Sequence, residues 1–94
     1  MSVLIVELEV SPGAEDDLER AFVNNFRPAI SAQPGFEAVA LLRPPGGQRW
    51  LLEVRFVDEA MRLAWVATDI HRKVWPEIER LCGQFKSDLF QAVR

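Results

Sequence analysis

The chain is poor in the residues that build disulfides and metal centres. Of its 94 residues, only Cys82 is a cysteine and only His71 is a histidine. A single cysteine excludes an internal disulfide and a cysteine-rich zinc site, so we interpret Cys82 as a small buried hydrophobic residue. One histidine, with no carboxylate at a supporting spacing on its own face, does not make a metal site. We therefore expect neither a metal nor another cofactor.

Long apolar runs and an excess of basic residues are also missing. No run approaches the ~20 apolar residues that span a bilayer, and the N-terminus lacks the basic start and cleavage site of a signal peptide. We expect a cytoplasmic protein that does not bind a membrane. The net charge is −3, and the densest basic run, His71 to Lys73, is short and is followed by glutamates. A nucleic-acid partner is therefore not expected.

The chain contains neither an internal repeat nor a linker. Its 94 residues suffice for one domain with a modest core, so we expect a single domain over residues 1–94.

The longest segment with helical periodicity runs from Asp58 to Cys82. It contains two of the three tryptophans, Trp65 and Trp75, together with His71. In an unbroken helix Trp65 would lie on the polar side, so a break is expected near Thr68 and Asp69, both good cap residues. An apolar stripe is predicted to consist of Leu63, Ala67, Ile70, Val74, Ile78 and Leu81.

We accordingly predict two helices in this segment. The first covers about residues 58–67, and the second is kinked at Pro76 and ends at Gly83. Such a broken helix can leave a concave space against a sheet. His71 lies near the edge of the apolar arc, in line with Trp75 at helical spacing.

The rest of the chain reads as strands with one more helix. Arg27-Pro28 should kink that helix or end its regular part early. The order is β-α-β-β-α-β, a ferredoxin-like α+β arrangement with one antiparallel sheet and the helices on one of its faces. The predicted strands are residues 2–10, 36–42, 48–57 and 84–93, and the helix is residues 14–31.

Alternation along the strands sorts their side chains into two faces. The face suited to the helices carries Leu4, Val6, Leu8, Trp50, Leu52, Val54 and Phe56. The opposite face is predicted to carry Val3, Ile5, Val39, Leu41, Leu51 and Val57, mixed with Glu7, Glu9, Arg43, Glu53 and Arg55. That face is too apolar to be left wet, and a second copy of the chain would cover it. We therefore predict an obligate homodimer.

Several local motifs carry a family resemblance. Pro34-Gly35-Phe36 enters the second strand, and the third strand runs from Trp50 to Phe56 and into Val57-Asp58-Glu59-Ala60. A helix that bears tryptophan and histidine follows. The chain resembles the antibiotic biosynthesis monooxygenase domain family over nearly its whole length. The resemblance implies a dimeric α/β barrel, and the family includes cofactor-independent oxygenases of polycyclic phenols, haem-degrading enzymes and domains without known activity.

The resemblance implies a pattern for haem degradation that this chain does not keep. The haem-degrading branch uses an asparagine on the first strand, a tryptophan in the second helical region and a histidine about ten residues later. Trp65 can match the tryptophan. The asparagine position falls on Val6, and Trp75 stands where the histidine is expected. Haem degradation is therefore disfavoured.

Oxygenation without a cofactor needs a water-excluding pocket, a base and polar contacts for the substrate anion. His71 is the only side chain whose ordinary pKa lies near neutrality, so it is the candidate base. Trp65 and Trp75 are the candidate aromatic walls. Asn25, beside the apolar stripe of the first helix, and Arg27, before the proline, are candidate substrate-binding residues. The alternative is that His71 hydrogen-bonds to backbone, the tryptophans fill the core, and Asn25 and Arg27 lie on the surface.

Three functions remain open. The first is a small monooxygenase of an aromatic or polycyclic phenol-type substrate. The second is a non-catalytic dimeric module that binds a small apolar ligand or only associates. The third is an isomerase-like enzyme in which the single histidine moves a proton.

Overall fold

The computed structural model describes residues 1–93, which form one antiparallel sheet with helices packed on one face. The strand order is β2-β3-β1-β4, and every neighbouring pair is antiparallel. This topology confirms the predicted ferredoxin-like α+β fold. In chain order the elements are β1 (Ser2–Val10), α1 (Glu15–Ala21), a π-turn (Phe22–Phe26), α2 (Arg27–Ser31), β2 (Phe36–Leu42), β3 (Arg49–Phe56), α3 (Glu59–Val66), α4 (Asp69–Glu79) and β4 (Cys82–Gln91).

The core lies between the sheet and the helical layer. The strand residues predicted for the helix-facing side do pack there, which confirms that part of the face assignment. The largest fully buried side chains are Leu8, Val10, Leu18, Ile30, Trp50, Leu52, Phe56 and Ile78. No helix in residues 1–93 is long and apolar enough to cross a membrane. The cytoplasmic location stays a prediction.

The irregularity expected at Arg27-Pro28 takes the form of the π-turn just before it. The N–H of Arg27 donates to the carbonyl oxygen of Phe22, five residues back, and helical structure then continues to Ser31. An α-helix has 3.6 residues per turn, so positions four apart drift around its axis. The wider π-turn reduces that drift. Leu18, Phe22, Phe26 and Ile30 consequently all stay buried.

A β-bulge in β2 overturns part of the predicted outer face. Phe36 pairs with Phe56, but Ala38 already pairs with Arg55, so one extra residue lies between them. Every later side chain of β2 therefore points to the face opposite to the one predicted. Val39 and Leu41 pair with core residues of β3 and pack against the core, so their assignment to the outer face was wrong.

Arg43 was also wrongly assigned to the outer face. It follows β2, and its Nη1 lies 2.9 Å from Oε1 of Glu19 on the helical layer. Its guanidinium carbon lies 5.0 Å from the ring centroid of Trp50. Both partners belong to the helix-facing side of the sheet.

The predicted break in the second helical segment is confirmed. α3 begins after Asp58, whose side chain accepts a hydrogen bond from the N–H of Met61, and it ends at Val66. α4 begins after Thr68, whose hydroxyl oxygen accepts from the N–H of His71. Because the break resets the helical phase, Trp65 is buried, with only 3% of its surface exposed.

Because the helical phase changes at the break, the predicted apolar stripe is partly wrong. Leu63 is 53% exposed and Ile70 is 38% exposed, so neither belongs to the core. Val74 and Ile78, which lie well inside α4, are buried as predicted. A single stripe cannot run through a junction where the helix stops and restarts.

The end of α4 also differs from the prediction. The helix runs through Pro76 to Glu79 and is capped by Arg80. Gly83 is therefore not its stop, because the chain has already entered β4 at Cys82. β4 ends at Gln91, two residues before the predicted end, and pairs with β1 as an edge strand.

The outer face of the sheet remains partly apolar after these corrections. Val3 pairs with Arg55, Ile5 with Glu53 and Glu7 with Leu51 on this face. Nε of Arg55 donates to Oε1 of Glu53 over 2.7 Å. Leu42 and Phe90, at either side of the sheet, are 47% and 54% exposed.

Candidate functional site

A cavity of about 190 Å³ lies between the helical layer and the sheet. The structure brings three predicted site residues, Trp65, His71 and Trp75, to its wall. The remaining lining residues are Leu4, Val6, Phe26, Leu52, Val54, Arg62, Val66, Phe85 and Ser87. The lining is thus mostly apolar and aromatic with a few polar groups, as in small-molecule sites.

The aromatic rings of the cavity form a connected set around His71. The imidazole centroid lies 4.9 Å from Trp65, nearly edge-on at 81°. It lies 6.3 Å from Trp75, whose ring is close to parallel at 23°. Phe26 contacts both tryptophans, and Trp75 also contacts Phe85 on β4. The imidazole therefore lies between two indole rings, and phenylalanine rings pack against both of these indoles.

The helix break sets the position of His71. Thr68 is the N-cap of α4, and its hydroxyl oxygen accepts from the backbone N–H of His71 over 3.2 Å. The same hydroxyl donates to the carbonyl oxygen of Trp65 over 2.7 Å. One threonine side chain thus ties the end of α3 to the first turn of α4. Trp65 and His71 meet because of this connection.

The environment of His71 favours its neutral form. Burial is the main cause that lowers its pKa below the ordinary value, and the positive charges of Arg62 and Arg72 lower it further. Glu79 opposes these effects. A neutral imidazole carries one acceptor nitrogen. Within residues 1–93 no hydrogen bond uses either ring nitrogen, so this acceptor is free to meet a ligand.

Arg62 also lines the cavity, although the sequence pattern placed it on the polar side of the helix. Its side chain is only 14% exposed. Nε and Nη2 donate to the two carboxylate oxygens of Glu59, over 2.7 and 2.6 Å. The hydroxyl of Ser2 also donates to Glu59, over 2.7 Å. Arg62 lies three residues before Trp65, so a helix ending at Val66 puts both on one face.

The two other predicted substrate-binding residues lie elsewhere. Nδ2 of Asn25 donates to Oε2 of Glu77 over 2.8 Å, at an exposed position. The guanidinium carbon of Arg27 lies 5.5 Å from the ring centroid of Phe22. Neither is among the residues, within 1–93, that line the cavity. Their part in substrate binding stays a prediction.

Cys82 and the acidic residues form no further centre. Burial raises the pKa of the Cys82 thiol, so the thiol stays protonated at neutral pH. In the part of the chain that the structure describes, no three His, Cys, Asp or Glu side chains are grouped closely enough to hold a metal ion.

Fold and cavity together define a class: a small ferredoxin-like α+β protein with an aromatic cavity under the helical layer. The model of the antibiotic biosynthesis monooxygenase family matches residues 1–75. The chain belongs to this family.

Solved structures share the fold over nearly the whole chain. SnoaB from Streptomyces nogalater, a cofactor-independent oxygenase, superposes in a mutant form with a TM-score of 0.88 at 19% identity, over 99% of this chain and 93% of SnoaB. An antibiotic biosynthesis monooxygenase homologue from Nitrosomonas europaea gives 0.86 at 17% identity, over 100% of both chains. These two likenesses show the fold alone.

One more solved relative carries a tetrapyrrole. A mutant of MhuD, with two manganese protoporphyrin IX molecules bound per active site, gives a TM-score of 0.81 at 25% identity, over 100% of this chain and 96% of MhuD. No curated protein matches the chain significantly.

Proposed function

We propose that the chain is a cofactor-independent monooxygenase of an aromatic or polycyclic phenol-type substrate that binds in the cavity between α3, α4 and the sheet. The observation that carries the proposal is His71, half-buried in the cavity wall between Trp65 and Trp75. Its lowered pKa keeps it ready to accept a proton at neutral pH. The family's cofactor-independent oxygenases, of which SnoaB is a solved example, support the same reaction class.

The reaction needs only the substrate, dioxygen and a base. His71 takes the proton of a ring hydroxyl, and the electron-rich phenolate then reduces dioxygen. One oxygen atom replaces a ring hydrogen and becomes a carbonyl, while the other leaves as water. The substrate thereby becomes a quinone and supplies all four electrons, so no external reductant is required. Trp65 and Trp75 hold the flat ring and exclude water from the charged intermediate.

The cavity volume limits the part of the substrate that can be enclosed. A 150 Å³ apolar cavity in another protein holds benzene, so about 190 Å³ suits one ring or two fused rings. A larger substrate would extend past Phe85 along β4, which is exposed. Haem degradation is less well supported, because Val6 stands where the resemblance expects the asparagine and Trp75 where it expects the histidine.

We also propose that the active form is a homodimer, with the outer faces of two sheets packed together. Ile5 and Leu51 lie half-buried on that face, flanked by the exposed Leu42 and Phe90. Val3, on the same face, is already buried within the single chain. Burying apolar surface stabilises a complex by about 25 cal/mol per Å² before association costs. The interleaved Glu53 and Arg55 already pair with each other, which lowers the cost of enclosing them.

A non-catalytic ligand-binding module of the same fold is the alternative. Its support is the small number of polar side chains in the lining, namely Arg62, His71 and Ser87. Such a cavity could hold an apolar ligand without any reaction. The two proposals differ in whether dioxygen is consumed.

Oxygen uptake with a panel of naphthols, dihydroxynaphthalenes and hydroxyanthrones separates them. We expect at least one member to consume dioxygen and to take up one labelled oxygen atom from isotopically labelled dioxygen. His71→Ala should lower the rate by about 10²- to 10⁴-fold, the usual contribution of a general base. Lys73→Ala, an exposed change on the same helix, should leave the rate unchanged. No uptake with any member, or an unaffected His71→Ala variant, would reject the oxygenase.

A further inference from the structure

We propose that Arg62 is the anion-binding residue of the cavity and that the site selects ligands bearing an ionisable ring hydroxyl. Arg62 is the one permanently charged side chain among the described lining residues. The inference deepens the proposed function and rests on it, since it concerns how the same site holds its substrate. Arg62 would bind the oxyanion that proton transfer to His71 creates.

The hydrogen bonds of Arg62 leave part of its guanidinium available. The group has five N–H donors in a fixed fork. Glu59 accepts from Nε and Nη2, which fixes the plane of the fork. Nη1 has no acceptor within residues 1–93. The arginine is therefore held from one side and keeps unused donors.

The support behind Arg62 is itself anchored. Oε1 of Glu59 also accepts from the hydroxyl of Ser2 on β1, so the carboxylate bridges α3 and the sheet. The bonds from Arg62 and Ser2 keep the pKa of Glu59 below its ordinary value. Glu59 does not line the cavity; it orients Arg62. A guanidinium placed in advance loses little freedom when it binds an oxyanion.

The positive charge of Arg62 would favour proton transfer from a phenol to His71. A phenol has an ordinary pKa of about 10 and an imidazole about 6.5, so proton transfer to an ordinary imidazole is unfavourable by a factor of about 10³ to 10⁴, and the lowered pKa of His71 increases this factor. An opposite charge close to an acid lowers its pKa by about 1 to 3. Arg62 and His71 both line the cavity, so one ligand can meet both side chains. The arginine would thus offset part of the unfavourable factor, with the larger effect on the phenol, to which it is to bind directly, than on His71, whose pKa it also lowers.

The test uses para-nitrophenol, whose neutral and ionised forms differ in colour. Its ionisation is titrated while bound to wild-type protein and to each variant. Arg62→Gln should reduce the ionisation constant of the bound phenol by about 10- to 1000-fold. Arg62→Lys keeps the positive charge but loses the planar guanidinium. Its ionisation constant for bound para-nitrophenol should therefore lie between those of the wild type and Arg62→Gln.

Glu59→Gln is a matched variant that should change the ionisation constant in the opposite direction to Arg62→Gln. The glutamine amide oxygen can still accept a hydrogen bond from Arg62, so the variant keeps part of the support and removes the negative charge behind the guanidinium. The ionisation constant of bound para-nitrophenol should therefore rise. A purely structural role for the Arg62–Glu59 pair would instead make both variants change it in the same direction. That result would overturn the inference, as would an unchanged constant in Arg62→Gln or no saturable binding of para-nitrophenol to the wild type.

Dioxygen takes no part in this titration, so the two proposals can fail separately. If the titration behaves as expected and no hydroxyarene consumes dioxygen, the anion site stands and the oxygenase is rejected. If dioxygen is consumed and Arg62→Gln leaves the titration unchanged, only the assignment of Arg62 is rejected.

Discussion

At the scale of single residues, the account depends on the protonation state of His71. Burial and the charges of Arg62 and Arg72 lower its pKa, whereas Glu79 raises it. Because the folded-state pKa lies below the ordinary value of about 6.5, the imidazole stays neutral down to a lower pH than an exposed histidine would. A general base works only when neutral. Activity should therefore persist at neutral pH and fall as the pH drops through the pKa of His71.

The two tryptophans are not equivalent in this picture. Trp65 is 3% exposed and belongs to the core as much as to the cavity. Trp75 is only half-buried and stands between the imidazole and Phe85 on β4. We infer that Trp65 fixes the shape of the site, while Trp75 forms the wall nearer to the edge strand.

At the scale of elements, the junction between α3 and α4 organises the site. The Thr68 side chain caps α4 through the N–H of His71 and also donates to the carbonyl oxygen of Trp65. Loss of such a cap costs about 0.5 to 2 kcal/mol. The junction thus couples helix stability to the geometry of the two rings.

Thr68→Ala should therefore lower the free energy of unfolding by about 0.5 to 2 kcal/mol. It should also reduce oxygenation more than this loss of folded protein explains, because His71 and Trp65 lose their shared anchor. Urea denaturation and oxygen uptake measure the two effects. Thr68→Ser keeps the hydroxyl and serves as the control. An alanine variant with wild-type stability and activity would refute this role.

The sequence predicted the residues of the cavity wall best where residue type alone is informative. His71 and the tryptophans stand out by composition, and the misfit of Trp65 on one continuous helix led to the break near Thr68. Arg62 was missed because its face depends on the phase of α3, which the break resets. A helix of 8 residues contains too few apolar positions to show from the sequence which of its faces points to the core.

The errors in the sheet have an equally local origin. The bulge between Phe36 and Ala38 inverts the inward and outward alternation of β2, and no residue type in that stretch predicts a bulge. Val39 and Leu41 were misassigned for this reason. Gly83 resembled a helix stop because glycine is frequent there, yet Arg80 ends α4 without a positive φ angle. Tertiary pairing of β4 with β1 decides this boundary.

At the scale of the whole molecule, the outer face of the sheet carries exposed apolar side chains, among them Leu42 and Phe90. The bulge removes two aliphatic residues from it, yet Ile5 and Leu51 remain there half-buried, and Leu42 beside Leu51 is exposed. β4 is exposed along nearly its whole length and forms one edge. A second copy packed on this face would shield both features.

Leu51→Glu should convert the proposed homodimer into a monomer. The new carboxylate would lie opposite Glu7 across the strand pair, and two facing acids cannot both be desolvated at an interface. Light scattering at micromolar concentration reports the mass, and circular dichroism checks the fold. Val23→Glu, at a 46% exposed position in the helical layer, is the control. A wild-type protein that is already monomeric would contradict the dimer.

The most direct measurement of the central claim is the pH dependence of kcat/KM for oxygen uptake, with the most active naphthol as substrate. The account predicts a limb that falls towards low pH, with a midpoint below the ordinary histidine pKa of about 6.5, because only neutral His71 can accept the proton. His71→Ala should lose that limb together with most of the rate. A wild-type profile without the limb, or one that His71→Ala preserves, would show that His71 is not the base and contradict the account.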